Sequence, residues 1–265
     1  MQKMTPFILG ACLLTAVSCG SDDDDNSSAQ QQQEENQVDS GTYAVTLRTL
    51  NTGVGGNNAT GVGTIMVEGN SISVKVAVAG APGNIVHMQH IHAATACPDS
   101  SADANGDGFV DVQEGIPSYG PILVPLDGNL ESQSAGADGY PTANNLGIYS
   151  YNGSGSFDQM IADLRFPDLD VTDAVIKLAP GENLNLAGRH IVIHGVPNNV
   201  NLPDTVASIG NMPSEATLPI ACGEITRVTT GTDEDGTSGG TTDGTTGGTT
   251  DGTSTGTPNT GLVTE

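Results

Sequence analysis

Residues 65–78 read IMVEGNSISVKVAV, and this stretch decides the class of fold. Apolar residues alternate with polar or small ones on both sides of Gly69-Asn70. Alternation with a period of two is typical of a strand that buries one face, and a Gly-Asn pair between two such runs indicates a tight turn. The stretch therefore predicts a β-hairpin.

Further strand signals occur on both sides of this hairpin. Tyr43, Val45 and Leu47 alternate with Ala, Thr and Arg. The later candidates are short apolar runs at 122–126, 160–166, 174–178, 190–194 and 220–229. Only a short helix or two fits between them. Many short strands separated by Gly, Pro and Asn predict an all-β protein with a β-sandwich or barrel architecture.

The first residues predict export from the cell. Residues 1–18 carry Lys3 and then an apolar run too short to span a bilayer, which is typical of a signal peptide. The run AVSC that ends at Cys19 resembles the bacterial lipobox, so we expect lipidation of Cys19; an ordinary secretory signal is the alternative. The expected location is the bacterial cell envelope. A lipid anchor would hold the protein to the outer membrane, either periplasmic or surface-exposed.

Two low-complexity segments flank one expected domain. Residues 19–40 are rich in Asp and Gln, and residues 229–265 consist largely of Thr, Gly and Asp. Neither can bury apolar surface, so we expect an acidic disordered tether, a domain at 41–228 and a disordered tail. The net charge of −24 argues against nucleic-acid partners, because phosphates would be repelled. The lipid anchor makes the membrane the expected partner, and no protein partner is indicated.

Two cysteines remain for the domain. Cys12 lies in the signal peptide and Cys19 is the expected lipidation site, which leaves Cys97 and Cys222. Two thiols in an oxidising compartment predict one disulfide, and two buried free thiols are the alternative. Closing so long a loop would stabilise the fold by roughly 4–5 kcal/mol at most.

All five histidines fall in two places, with His87, His90 and His92 in one and His190 and His194 in the other. Residues two apart on a strand share a face, so His90 and His92 project together. His190 and His194 are separated by roughly 13 Å along their strand, too far to bind one ion unless the chain bends. Two imidazoles from one strand and one from another predict a copper or zinc site; ordinary polar or core histidines are the alternative.

Three segments resemble Cu,Zn superoxide dismutases. Residues 87–92, HMQHIH, resemble the family's His-Gly-Phe-His-Val-His, and residues 188–194, GRHIVIH, resemble its Gly-Arg-Thr-Leu-Val-Val-His. Residues 220–225, IACGEI, resemble its Leu-Ala-Cys-Gly-Val-Ile ending. These segments keep the family's order across most of residues 61–225. The chain resembles the related CHRD domains, which share the fold, equally well. The resemblance implies a Greek-key β-sandwich like that of superoxide dismutase.

The resemblance also implies roles for single residues. It matches three residues to copper ligands: His90, His92 and His194. His87 matches a histidine that is structural in the family. Cys97 and Cys222 match the family's intrasubunit disulfide.

The departures from the family concern activity. No histidine lies between His92 and His190, so the bridging copper ligand and the zinc-site histidines are missing. The arginine that attracts superoxide in the family is Pro219 here, which removes a charge from the approach path. We therefore expect copper binding with weak superoxide dismutase activity, and no catalytic residue is assigned. The alternative is a non-enzymatic, CHRD-like module for surface interaction or adhesion.

Residues 103–114, DANGDGFVDVQE, fit the twelve-residue calcium loop of EF-hands at every diagnostic position. The predicted calcium ligands are oxygens of six residues, with the backbone carbonyl serving at position 109: Asp103, Asn105, Asp107, Phe109, Asp111 and Glu114. Cys97-Pro98 lies just upstream, so no entering helix is expected. The motif predicts an isolated calcium loop that stiffens an insertion, and a solvated acidic turn is the alternative. A calcium-dependent adhesin is a further interpretation of this motif.

Overall fold

The computed structural model describes residues 39–132, 139–165, 178–179 and 182–229. The predicted signal peptide, the lipidation site Cys19, nearly all of the tether and nearly all of the tail lie outside the described residues. The same holds for most of the strand predicted at 174–178. Within the described part of the chain, no helix has the length and apolar character needed to cross a bilayer.

Eight strands form one curled antiparallel sheet, which confirms the all-β prediction. In chain order they are β1 Gly41–Thr49, β2 Thr60–Glu68, β3 Ser71–Ala79, β4 Gln89–His92, β5 Ile122–Pro125, β6 Tyr149–Ser156, β7 His190–His194 and β8 Pro219–Arg227. Their order across the sheet is β5-β4-β7-β8-β1-β2-β3-β6. The neighbours β3/β6 and β4/β7 are not consecutive in sequence, as expected of Greek-key connections.

The predicted hairpin is the β2–β3 pair. Glu68 lies opposite Ser71, and Gly69 takes a φ of +54° in the two-residue turn between them, a conformation that favours glycine. Every second residue of both strands is buried. Ile65 and Val74, which lie opposite each other, belong to the main core inside the curled sheet. The alternation in the sequence thus selects the face that is removed from water.

Three α-helices accompany the sheet: α1 Val112–Tyr119, α2 Phe157–Arg165 and α3 Ser214–Thr217. Short 3-10 turns occur at Val54–Gly56 and Ser100–Ala102. The strand predicted at 160–166 is wrong, because residues 160–165 belong to α2. Its buried residues have the i, i+3, i+4, i+7 spacing of one helical face: Phe157, Met160, Ile161 and Leu164.

A long loop, residues 93–121, covers the outer face of β4, β7 and β8. Backbone hydrogen bonds close its base, from Ala93 N–H to the Pro121 carbonyl and from Ala94 N–H to the Tyr119 carbonyl. Cys97 in this loop is bonded to Cys222 on β8, with 5.7 Å between their Cα atoms, which confirms the predicted disulfide. The loop is therefore fixed to the sheet at two points, and it carries both α1 and residues 103–114.

Candidate metal centre

The three histidines predicted as copper ligands lie together under this loop. His90 and His92 lie on β4, and their shared neighbour Ile91 points into the main core, so both imidazoles occupy the opposite face of the sheet. His194 ends β7, where the pairing with β8 shifts register between Ile193 and His194. One ring nitrogen from each of the three lies within 4.8 Å of the other two, so this group could hold a metal ion. We call it the three-histidine cluster.

Backbone carbonyls fix the tautomers of two of these rings. Nδ1 of His92 lies 2.7 Å from the Gly120 carbonyl, and Nδ1 of His194 lies 2.8 Å from the Thr217 carbonyl. A carbonyl oxygen only accepts, so each Nδ1 carries the hydrogen and donates it. Each Nε2 therefore keeps a free lone pair, which is the form of imidazole that binds metals. Both Nε2 atoms are buried without a partner among the described residues.

In His90 the ring nitrogen without a partner is Nδ1 rather than Nε2. Its Nε2 lies 2.9 Å from the Tyr140 hydroxyl, whereas its Nδ1 is buried without a hydrogen-bond partner in the described part of the protein. When Nε2–H donates to the Tyr140 oxygen, Nδ1 is left with the free lone pair. Three unpartnered nitrogens in one buried place are costly unless something binds them.

Burial keeps the cluster neutral. Desolvation lowers the pKa of His92 to about 3 and that of His194 to about 4. It also lowers the pKa of His90 well below the usual value, and the positive charge that His194 and His92 could carry lowers it further. At neutral pH all three imidazoles are therefore uncharged, which is the protonation state that a metal ion requires.

Two tyrosines pack against the cluster. The ring of Tyr119, at the end of α1, lies edge to face with His92 at 4.6 Å between centroids, and the ring of Tyr140 lies 5.5 Å from His90. The Tyr119 hydroxyl donates to the Val112 carbonyl at 3.2 Å, so it is engaged within its own helix. Sequence reasoning missed these positioning groups, as it missed the carbonyls of Gly120 and Thr217. A backbone carbonyl leaves no mark in the sequence, and Tyr140 lies in a loop that carries no motif.

The two remaining histidines lie outside the cluster. Both ring nitrogens of His87 face backbone carbonyls, Nε2 that of Pro82 at 2.9 Å and Nδ1 that of His194 at 3.1 Å. Neither nitrogen is available to an ion. His190 lies opposite His92 on β7, but its Nδ1 lies 3.2 Å from the Ala94 carbonyl and it is not a member of the cluster.

Residues 103–114, here called the acidic loop, place their oxygens differently. Asp103 accepts backbone N–H groups from Gly106 and Gly108, at 2.8 and 2.9 Å. The carboxylate of Glu114 reaches back to Ala104 N–H at 2.9 Å. The side-chain oxygens of Asn105 and Asp107 accept the N–H two residues further along, from Asp107 and Phe109. The loop is thus closed by hydrogen bonds of its own.

The acidic loop leads directly into α1. Asp111 caps this helix by accepting from Gln113 and Glu114 N–H, and Glu114 Oε2 accepts from Asp111 N–H, so both halves of a capping box are present. Gly108 has a φ of +91°, as the sharp turn requires, and the side chain of Phe109 packs against the main core. The exiting helix is present, and a single 3-10 turn precedes the loop, as expected from Cys97-Pro98.

The acidic loop also contacts the segment before α3. Thr205 donates its hydroxyl to Asp107 at 2.6 Å, and Ala207 donates its N–H to Asp111 at 2.7 Å. Gln113 on α1 donates to the Ser208 carbonyl at 3.2 Å. These contacts hold residues 205–208 against the loop. The residues that follow, 209–212, reach the three-histidine cluster.

Comparison with family models and with curated proteins gives no match for this chain.

Proposed function

We propose that this domain binds one copper ion at His90, His92 and His194, in a fold related to that of superoxide dismutases and CHRD domains. The observation that carries the proposal is the set of three buried, neutral imidazoles, each with a ring nitrogen that lacks a hydrogen-bond partner among the described residues. Imidazole nitrogens suit copper and zinc. The resemblance of HMQHIH and GRHIVIH to superoxide dismutase segments favours copper.

The residues of this chain support such an ion in three ways. The carbonyls of Gly120 and Thr217 hold the rings of His92 and His194 in the tautomers that expose Nε2. The Tyr140 hydroxyl plays the corresponding part for His90. Such outer partners fix ring orientation and raise ligand basicity. Copper bound there would supply one-electron redox chemistry.

We expect dismutation of superoxide by this site to be slow. Pro219, which stands in place of the family's arginine, is buried on β8 and contributes no charge. Among the described residues that line the space over the cluster, none bears a positive charge to attract the anion. Electrostatic guidance would therefore be lost, and the rate would be far below the diffusion limit.

The second candidate is a non-enzymatic, CHRD-like module for surface interaction or adhesion, stabilised by calcium in the acidic loop. It is favoured by the exiting helix, the positive φ of Gly108 and the carboxylates of Asp103 and Glu114 that converge on one turn. Six to eight oxygen ligands suit calcium, and extracellular calcium would fill even a weak site. In both versions we propose that a lipid anchor at Cys19 holds the domain outside the cell.

Metal content, measured by plasma mass spectrometry, tests the proposal. The full chain is exposed to copper, zinc and calcium and then dialysed, beside a His90→Ala/His92→Ala/His194→Ala triple variant. The matched control is His190→Ala, because His190 lies on β7 together with His194 but outside the cluster. One copper per chain in the wild type and the control, absent in the triple variant, is the expected result. Zinc in place of copper would overturn the redox function, and calcium alone in all three proteins would favour the second candidate.

A further inference from the structure

A pocket of about 180 Å³ lies directly over the three-histidine cluster. All three histidines form its floor together with Tyr140. Most of its walls are apolar. The apolar side chains that form them include Met88, Val112, Ile116, Ile122, Ile209 and Met212. We call this space the neutral pocket.

The walls come from three parts of the chain that hydrogen bonds within the fold hold in place. Val112 and Ile116 lie on α1, whose first turn is capped by Asp111. Ile209 and Met212 follow the segment that Asp107 and Asp111 hold through Thr205 and Ala207. Ile122 begins β5, which pairs with β4. The pocket is therefore a feature of the folded chain and does not depend on a metal ion for its walls.

The chemistry of the walls restricts what the neutral pocket accepts. Among its described lining residues none bears a formal charge when the histidines are neutral, and the polar ones are Tyr140, Asn211 and Thr217. The Tyr140 hydroxyl pairs with His90, and the Thr217 hydroxyl donates to the Ser214 carbonyl at 3.4 Å. No cationic side chain of this described lining would compensate the desolvation of an anion, and the neutral donors of Asn211 and Tyr140 would compensate it only in part.

The size of the pocket suits a small organic molecule. An apolar protein cavity of about 150 Å³ stays dry and binds benzene. The neutral pocket is slightly larger and has the mixture of apolar walls and few polar groups that is typical of sites for small molecules. Met212 is 40% exposed and lies at the edge, so the interior is accessible from solvent.

We propose that the neutral pocket binds one small, uncharged and largely apolar organic molecule, which lies against the three-histidine cluster. The part of this inference that concerns the metal rests on the proposed copper site, since the molecule would then be that ion's neighbour. Binding to the side-chain walls requires no metal. The proposal gives the site an uncharged and largely apolar ligand class, in contrast to the superoxide anion.

Toluene and benzoate are the probes, because they share one ring and differ in charge. Ligand-detected saturation-transfer NMR on the full metal-free chain measures binding of each. We expect toluene to bind at one site per chain and benzoate to bind about 100-fold more weakly or not at all, because its carboxylate would be buried without a cationic partner. Benzoate binding as tight as that of toluene, or no binding of toluene to the folded chain, would overturn the proposal.

Two pairs of variants locate the binding. Ile209→Phe fills the pocket and should weaken toluene binding by about tenfold or more, whereas Ile148→Phe makes the same change at an exposed residue elsewhere. Met212→Lys places a charge at the pocket edge, and its control is Met66→Lys on β2, with 43% exposure against 40%. Equal effects within either pair would contradict binding in the neutral pocket.

Toluene binding to the copper-loaded chain distinguishes failure of this inference from failure of the proposed function. In the copper(II)-loaded chain, paramagnetic broadening of the toluene methyl signal is expected, and it should disappear in Ile209→Phe while the copper content stays the same. Toluene binding without any copper uptake supports the neutral pocket and overturns the copper function. Copper uptake with a toluene signal that stays sharp, although toluene binds, overturns the placement of the ligand against the cluster.

Discussion

The three-histidine cluster and the acidic loop lie at opposite ends of α1 but differ in what their potential ligand atoms already contact. In the cluster, one nitrogen of each imidazole is buried and has no partner among the described residues. In the acidic loop, the side-chain oxygens of Asp103, Asp107 and Glu114 accept backbone N–H groups of the same loop. The loop can thus keep its shape by itself, whereas the cluster carries unsatisfied polar atoms.

This difference indicates where binding of an ion would change the protein most. An unpartnered polar atom in the interior costs about 1–3 kcal/mol, so an ion at the cluster would remove a cost that the fold already bears. An ion at the acidic loop would instead bind oxygens that already accept hydrogen bonds, so it would remove a smaller cost. We therefore expect large metal effects on stability from the cluster and smaller ones from the loop.

Acid should have the largest effect on the metal-free chain. The pKa values of His92 and His194 are lowered to about 3 and about 4, against 6.5 in the unfolded chain, so below pH 6.5 the unfolded state binds more protons. The free energy of unfolding should be level above pH 6.5 and fall toward pH 4. Each histidine contributes up to about 1.4 kcal/mol per pH unit. Urea unfolding at several pH values, with a chelator present, measures this slope.

The His90→Ala/His92→Ala/His194→Ala variant is the control for the acid effect. His87 and His190, whose pKa values are also lowered by burial, titrate in both proteins, so the difference in slope isolates the cluster. A variant whose stability falls as steeply as that of the wild type would show that the cluster is not neutral in the folded chain.

Loss of the disulfide should have the next largest effect, because this bond links β8 to the loop that carries the acidic loop and covers the three-histidine cluster. The Cys97→Ala/Cys222→Ala variant opens a loop of 125 residues. The chain-entropy model assigns about 5 kcal/mol to such a closure, as an upper figure. Chemical unfolding of the variant and of the oxidised wild type measures the loss. A loss below about 1 kcal/mol would contradict the role of the disulfide in fixing residues 93–121 to the sheet.

Copper should stabilise the folded protein through the three-histidine cluster and not through the acidic loop. If copper binds only the folded chain, copper at 1,000 times its dissociation constant raises the free energy of unfolding by about 4 kcal/mol. For a domain of this size that corresponds to a rise in Tm of about 8–16 °C. Differential scanning calorimetry should show this rise in the wild type and in Glu114→Gln, which changes only the acidic loop. A rise that survives in the triple histidine variant would place copper elsewhere.

Substitution of Tyr140 tests whether the hydrogen bonds that orient the three histidines affect copper affinity. Among the described residues, the Tyr140 hydroxyl is the one hydrogen-bond partner of the three histidines that belongs to a side chain, since His92 and His194 contact backbone carbonyls. Tyr140→Phe keeps the ring against His90 and removes the hydroxyl, so copper affinity should fall by about 10–100-fold. Competition with a copper chelator measures the affinity. Tyr151→Phe, which removes a hydroxyl bonded to the Asp127 carbonyl, is the matched control and should leave the affinity unchanged.

Much of this architecture could be predicted from the sequence, because alternation and histidine spacing are local signals. The hairpin and the shared face of His90 and His92 follow from them, and the Cys97–Cys222 bond follows from the count of cysteines left for the domain. Strand β6 was missed because its sequence, YSYNGSGS, offers only two large side chains, both tyrosines. The bulge at His194, the carbonyls that orient the rings and the neutral pocket depend on how distant segments pack, and no local pattern encodes them.

Removal of the helix cap at Asp111 should have the smallest effect on the free energy of unfolding. This change tests whether the acidic loop keeps its shape without a bound ion. Asp111 is buried and accepts N–H groups from Gln113, Glu114 and Ala207. Asp111→Ala leaves these donors without their acceptor, and loss of such a cap costs about 1 kcal/mol, up to about 2. If these hydrogen bonds are enough to hold the loop, the loss should be the same with calcium chelated. Asp99→Ala, which removes an exposed cap from the turn at Ser100–Ala102, should leave the unfolding midpoint unchanged.

The same variant also measures how far the two sites depend on each other. Helix α1, capped by Asp111, runs from Val112 to Tyr119, and the next residue, Gly120, supplies the carbonyl that orients His92. If the cap loss stays within the first turn, copper affinity is unchanged, because the disulfide and the backbone pairing of Ala94 with Tyr119 still hold the far end of the helix. A fall in copper affinity in Asp111→Ala, without one in Asp99→Ala, would instead show that α1 transmits the state of the acidic loop to the three-histidine cluster, so the two sites would act as one unit.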